Sequence, residues 1–356
     1  MPLSAIDAIS PAFNHTKQQV FQPFRLSQWW RLATVGFLAG EMSSSGSCNR
    51  SSFNWPQQGT HASHLLGTSW PEAHPAEFLG LIAVLALSGF VLGIVFMYVS
   101  SVMRFVLFDS VLKKECHIRA GWSARQTEGW KLFVFRLLFS LIFFVIIGMI
   151  VAVPLLIGAT AGWWKNPGQH IGGWLLIGAP AFLILLAVIF IGALIYVLTK
   201  DFVVPQLALE DISVMEGWRR LWRSMEPEKS SFAAYIGMKI LLAIAVGIVV
   251  GIATVIIALI MVIPVVGAVV AARVGGLDWT PGTITLAIVG GATLFLLLMF
   301  VISLISVPAI VFFPAYAMYF WASRYQKLAS LVWPPMPAAP GPPPILQPPP
   351  SAEPIG

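Results

Sequence analysis

Charge is scarce in this chain. Asp, Glu, Lys and Arg make up 10% of its 356 residues, hydrophobic residues 58%, and mean hydropathy is +0.83. Soluble domains carry roughly 25% charged residues, so this composition lies well outside their range. Cysteine is rarer still. Cys48 and Cys116 fall on opposite sides of the topology derived below, which excludes a disulfide framework, and no zinc motif is present. The first 20 residues are polar and mixed, with no apolar core before a small-residue site; no cleavable signal is expected. No Walker A loop, G-x-S-x-G, H-E-x-x-H or Rossmann fingerprint occurs. No catalytic residue, cofactor or metal site is therefore assigned, and an enzyme is not expected.

What is abundant is long apolar sequence, in five stretches at 78–103, 132–158, 173–199, 232–262 and 283–308, with a shorter one at 27–40. Roughly 20 apolar residues cross a bilayer as a helix. Of 21 Lys and Arg, 18 fall in or beside alternate connections; Arg50, Lys165 and Arg273 lie in the others. That asymmetry is the positive-inside pattern. It predicts an all-α, polytopic transmembrane helix bundle in the plasma membrane, with N- and C-termini cytoplasmic and about six spans, the first short. Five spans with the N-terminus outside is the alternative. Residues 1–330 form the bundle, 41–77 an external loop, and 331–356 a proline-rich disordered cytoplasmic tail in which 11 of the last 23 residues are Pro. The net charge of +6 belongs to this orientation and to anionic lipid rather than to nucleic acid.

All 15 Asp and Glu, and every His, lie outside the five long stretches. Ion-coupled carriers usually bind their ion on an intramembrane carboxylate, so this weakens such a carrier and leaves a facilitator or channel-like transporter open. His61, His64 and His74 share the external loop without metal-site spacing and read as solvated. The Gly89/Gly93, Gly158/Gly162 and Gly247/Gly251 pairs offer close helix approach.

An offset of 96 residues superimposes Arg104-Phe-Val-Leu-Phe and Ile118-Arg-Ala-Gly-Trp122 on Lys200-Asp-Phe-Val-Val and Val214-Met-Glu-Gly-Trp218. After an insertion, Phe135-Arg136 matches Met238-Lys239. The unit is a span, a cytoplasmic amphipathic helix and a returning span, a parallel internal repeat. In 213–225, Ser213 and Glu216 form a capping-box pattern. Val214, Trp218, Leu221, Trp222 and Met225 make an apolar stripe opposite Arg219, Arg220 and Arg223. The helix either lies in the inner membrane interface or packs its stripe on the bundle. Arg31, Arg104, Arg136, Lys200 and Lys239 stand near the cytoplasmic ends of apolar stretches. They read as snorkelling anchors or as a collar for anionic lipid headgroups. Membrane lipids are the partner this implies; no protein partner is specified.

Phe21-Gln-Pro-Phe-Arg-Leu-Ser-Gln-Trp-Trp-Arg-Leu32 and the segment Phe202 to Leu221 resemble prokaryotic membrane proteins related to the membrane domain of glycerophosphodiester phosphodiesterases. The resemblance covers roughly residues 10–330. It implies a six-helix bundle with cytoplasmic amphipathic connectors and carries over no active site.

Overall fold

In this computed structural model, residues 2–22, 24–41, 75–276 and 281–333 are described. They are helical throughout, with no strand among them. A backbone inside lipid must satisfy its own hydrogen bonds, and long apolar sequence does so as helix.

Two short helices open the chain, α1 (Ile9–Thr16), continued by a π-helical turn to Phe21, and α2 (Leu26–Ala39). The long α3 (Pro75–Lys113) is followed by the short α4 (Ile118–Ala124) and then by α5 (Gln126–Thr160). Returning from α5, α6 (Ile171–Leu198) runs through a π-helical turn, Thr199–Val203, into α7 (Val204–Glu210). The amphipathic α8 (Val214–Met225) precedes the longest helix, α9 (Lys229–Val274). The chain closes with α10 (Pro281–Ile305), α11 (Val307–Ala322) and α12 (Gln326–Val332).

Four helical segments, beginning at Ala86, Gln126, Gly168 and Lys229, are long and apolar enough to cross a membrane. A fifth results if α10 and α11, bent 45° from one another, count as one. The five long apolar stretches thus correspond to α3, α5, α6, α9 and α10. The short stretch at 27–40 is α2, whose 14 residues extend about 21 Å at 1.5 Å per residue. It lies against the C-terminal third of α3: Gln28 donates to the Lys114 carbonyl, and Ser100 donates to the Ala39 carbonyl. Glu41, expected in an external loop, forms an ion pair with Lys200, expected on the opposite face. That contact brings the end of α2 to the start of the π-helical turn that follows α6. Residues 42–74, with Cys48 and the three loop histidines, and the proline-rich tail from Pro334 lie outside the described residues.

The core is concentrated at one end of the molecule. α11 lies at its centre with 13 of its 16 residues buried, including Phe313, Tyr316, Phe320 and Trp321. The sequence reading ended its last span at Pro308 and assigned no helix beyond it. A helix apolar all round needs burial, and its alanines let neighbours approach closely. α1 packs on α11, α2 on α3, and α8 on the turn before α7. Both ends of the described chain join this packed region: Tyr316 donates to the Ala5 carbonyl and Arg324 to the Leu3 carbonyl.

Beyond the packed end the spans present apolar side chains outward, such as Leu176, Leu183, Ile248 and Val249. The paired glycines follow the same division. Gly158 packs beneath Trp174, whereas Gly89, Gly93 and Gly251 face open space, correcting their assignment to packing within the bundle.

Candidate functional site

Two Tyr-x-x-x-Lys pairs build the site. Tyr196 and Lys200 lie one turn apart at the end of α6, and Tyr235 and Lys239 one turn apart in α9. Residues at this spacing share a helix face. The π-helical turn at Thr199–Val203 places both Lys200 and Asp201 in the packed region, where Asp201 is 3% exposed. Asp201 accepts hydrogen bonds from the Tyr235 hydroxyl at 2.9 Å and from the Lys239 ammonium. Tyr235 stacks on Tyr316 at 5.0 Å and on Phe320 at 4.5 Å, which walls this pair off from water. Lys200 pairs with Glu41, which is held beyond the left-handed turn at Gly40 (φ 78°) that ends α2.

Arg104 and Arg136 differ from the two lysines. Neither has a carboxylate partner among the described residues. The Arg104 guanidinium lies 4.7 Å above the Tyr196 ring and donates to the Tyr196 hydroxyl, while its Nε, fully buried, has no partner. Arg136 donates to Ser100 and Ser101 at 3.2 and 3.1 Å and lies 5.8 Å from the same ring. Among the described residues, four cations therefore converge on two carboxylates. Glu41, Arg104, Lys200 and Asp201 also line one cavity of about 30 Å³. A water needs roughly 10–15 Å³ measured this way, so the cavity accommodates a water or two and no larger group. Arg136 and Lys200 are half-buried, whereas Arg104 and Lys239 are buried.

The whole cluster falls within residues 3–331, the segment matched by the family model described as a family of unknown function (DUF7544). The chain belongs to DUF7544. No curated protein and no solved structure matches it.

Of the five basic positions singled out by sequence in this DUF7544 chain, Arg104, Arg136, Lys200 and Lys239 meet in the cluster. Arg31 does not: it donates to the Cys116 carbonyl at 3.4 Å and lines a surface cleft with His117 and Arg119. In α8, Ser213 accepts from the Glu216 N–H at 3.2 Å as its N-cap. Val214 and Leu221 are buried and Trp218 half-buried, so most of the apolar stripe packs on the bundle. Trp222, 64% exposed, stays outside with Arg219 and Arg223. Arg220 pairs with Glu216 at 3.1 Å and Glu210 at 2.7 Å, and its hydrogen bond holds the Glu216 carboxyl below the usual carboxylate range. Glu210 in turn accepts from Tyr325 at 2.5 Å, tying α7 and α8 to the start of α12.

Sequence reasoning missed Glu41, Asp201, Tyr196 and Tyr235. The tyrosines carried a signal in their spacing from Lys200 and Lys239. Asp201 and Glu41 adjoin the ends of apolar stretches, and only tertiary packing buries them.

Proposed function

We propose that this protein is a non-enzymatic, multi-pass plasma-membrane protein that binds an anionic lipid headgroup through Arg104 and Arg136. In this reading the packed end, which both ends of the described residues join, faces the cytoplasm, as the distribution of the basic residues supports. The observation that carries the reading is the excess of cations: among the described residues neither Arg104, which shares its small cavity with Glu41, nor Arg136 forms an ion pair, while Lys200 and Lys239 each do. An unpaired ion held away from water is costly, and a phosphate arriving at Arg136 would relieve that cost. A cavity of about 30 Å³ is too small for a phosphate, so in this reading the phosphate sits at the Arg136 edge and water fills the interior. The likeness to the membrane domain of glycerophosphodiester phosphodiesterases accords with a lipid-facing role and adds no reaction.

The test is native mass spectrometry of gently solubilised protein after exchange into phosphatidylglycerol or phosphatidylcholine. Arg136→Ala should lower retention of phosphatidylglycerol about tenfold, about 1.4 kcal/mol, within reach of one lost charge-assisted hydrogen bond. Lys239→Ala should act differently, destabilising the fold by about 3–5 kcal/mol because Asp201 loses its partner. Equal retention by the wild type and folded Arg136→Ala would sink the proposal.

A facilitator is the second reading, favoured by the buried Glu41 and Asp201 beside a water-sized cavity. Solute flux in proteoliposomes that Asp201→Asn abolishes would replace the first reading with this one.

A further inference from the structure

A second feature, remote in character from the charged cluster, is an apolar groove of about 530 Å³ between α1, α9 and the bend joining α10 to α11. Its size falls in the range of roughly 300–1,000 Å³ typical of small-molecule sites. Phe13 and Phe21, which α1 and its π-helical turn project away from α11, form one wall. Val249 and its neighbours on α9 form the other, and Pro308 and Phe312 the floor. The α9 wall belongs to a membrane-spanning segment that exposes Ile248, Ile252 and Val255 beside it, so the groove opens sideways toward the bilayer. Lys17 is the one charged side chain among the lining residues; it is exposed and has no partner among the described residues.

We infer that this groove seats one acyl chain of an anionic phospholipid, with its phosphate at Lys17. Three observations select that occupant. The lining is apolar, so water is a poor filling, and a bare groove would forfeit dispersion contacts along its whole length. The groove is reached from the hydrocarbon, where aliphatic chains are the abundant solute. The single cation, Lys17, stands exposed on the α1 side of the groove, where it complements an anionic headgroup. This site shares no lining residue with the Arg104–Arg136 cluster, so either can fail while the other stands.

The experiment reconstitutes the full-length protein in mixed phosphatidylglycerol and phosphatidylcholine vesicles containing phosphatidylglycerol with a mid-chain diazirine. After illumination, labelled positions are mapped by mass spectrometry. Label should concentrate on 242–253 and on Phe13 and Phe21, above the level at Leu176 and Leu183, which face the bilayer on α6. Ala245→Trp, placed on the groove wall, should reduce the groove label several-fold and leave the α6 label unchanged. Lys17→Ala should reduce labelling by the phosphatidylglycerol probe about fivefold, the scale of one basic residue beside an anionic headgroup. Val249→Trp repeats the filling test if Ala245→Trp does not fold. Equal label on the groove and on α6, or label indifferent to either tryptophan, overturns the inference. So does an intermolecular disulfide between Phe13→Cys and Val249→Cys, which would show a second copy filling the groove.

Discussion

His15 is held neutral by what surrounds it. For the ring to satisfy both neighbours, Nε2–H donates to the Val111 carbonyl at 2.8 Å and Nδ1 accepts from the Tyr319 hydroxyl at 3.2 Å. Burial pushes its pKa below the ordinary 6.5, and nearby Lys114 adds to the effect. The unfolded chain therefore binds the proton more readily. Stability is at its full value above pH 6.5, falls as pH drops through 6.5, and levels off beneath the folded pKa. Thermal unfolding in detergent across this window should show that decline, and His15→Gln, which keeps an N–H for Val111, should flatten it. A wild-type midpoint unmoved between neutral and mildly acidic pH would mean that the imidazole is not excluded from charging. Within the cluster, the same accounting by residue separates the lysines from the arginines. Lys200 and Lys239 each answer a carboxylate; Arg104 and Arg136 answer aromatic and hydroxyl groups.

Among the helices, close approach is confined to the packed end. A Cβ on Gly129 would lie 2.5 Å from the Val102 side chain and 3.0 Å from its Cα, which the backbone of α3 cannot easily yield. Gly129→Ala should destabilise by about 1–3 kcal/mol, as overpacking does. Gly89, on the same α3 but with nothing within 4 Å, should behave in the opposite sense. There Ala should stabilise the helix by about 0.5–1 kcal/mol through lower backbone entropy in the unfolded chain. Unfolding midpoints of both variants measured side by side check the contrast; a like loss at Gly89 would imply a packing partner there. Elements with a strong local signal were legible: the long apolar stretches became helices, and Ser213 caps α8. α11 was not, because apolar sequence following a span does not disclose a 45° bend or the helix's place at the centre. α2, expected as a short span, lies along α3, a placement that a mostly apolar stretch of this length does not disclose.

For the whole molecule, the cytoplasmic placement of the packed end has a direct test. In a background lacking Cys48 and Cys116, Arg223→Cys and Ser330→Cys should resist an impermeant maleimide on intact cells, while Trp164→Cys should react. The reverse pattern would invert the assigned orientation and place the headgroup site in the outer leaflet. The sequence by itself determined the class of molecule. Long apolar runs exclude a soluble fold, since a backbone in lipid must close its own hydrogen bonds, and the one-sided basic residues bias which ends face the cytoplasm. It also marked four of the cations that matter, because charge adjoining apolar sequence is rare enough to stand out. Only the tertiary structure decided which of them are neutralised. Pairing depends on distances between helices far apart in sequence: Glu41 reaches Lys200 and Asp201 reaches Lys239 because α2, α6 and α9 meet at one end, an arrangement that hydropathy, a property of each segment alone, does not contain.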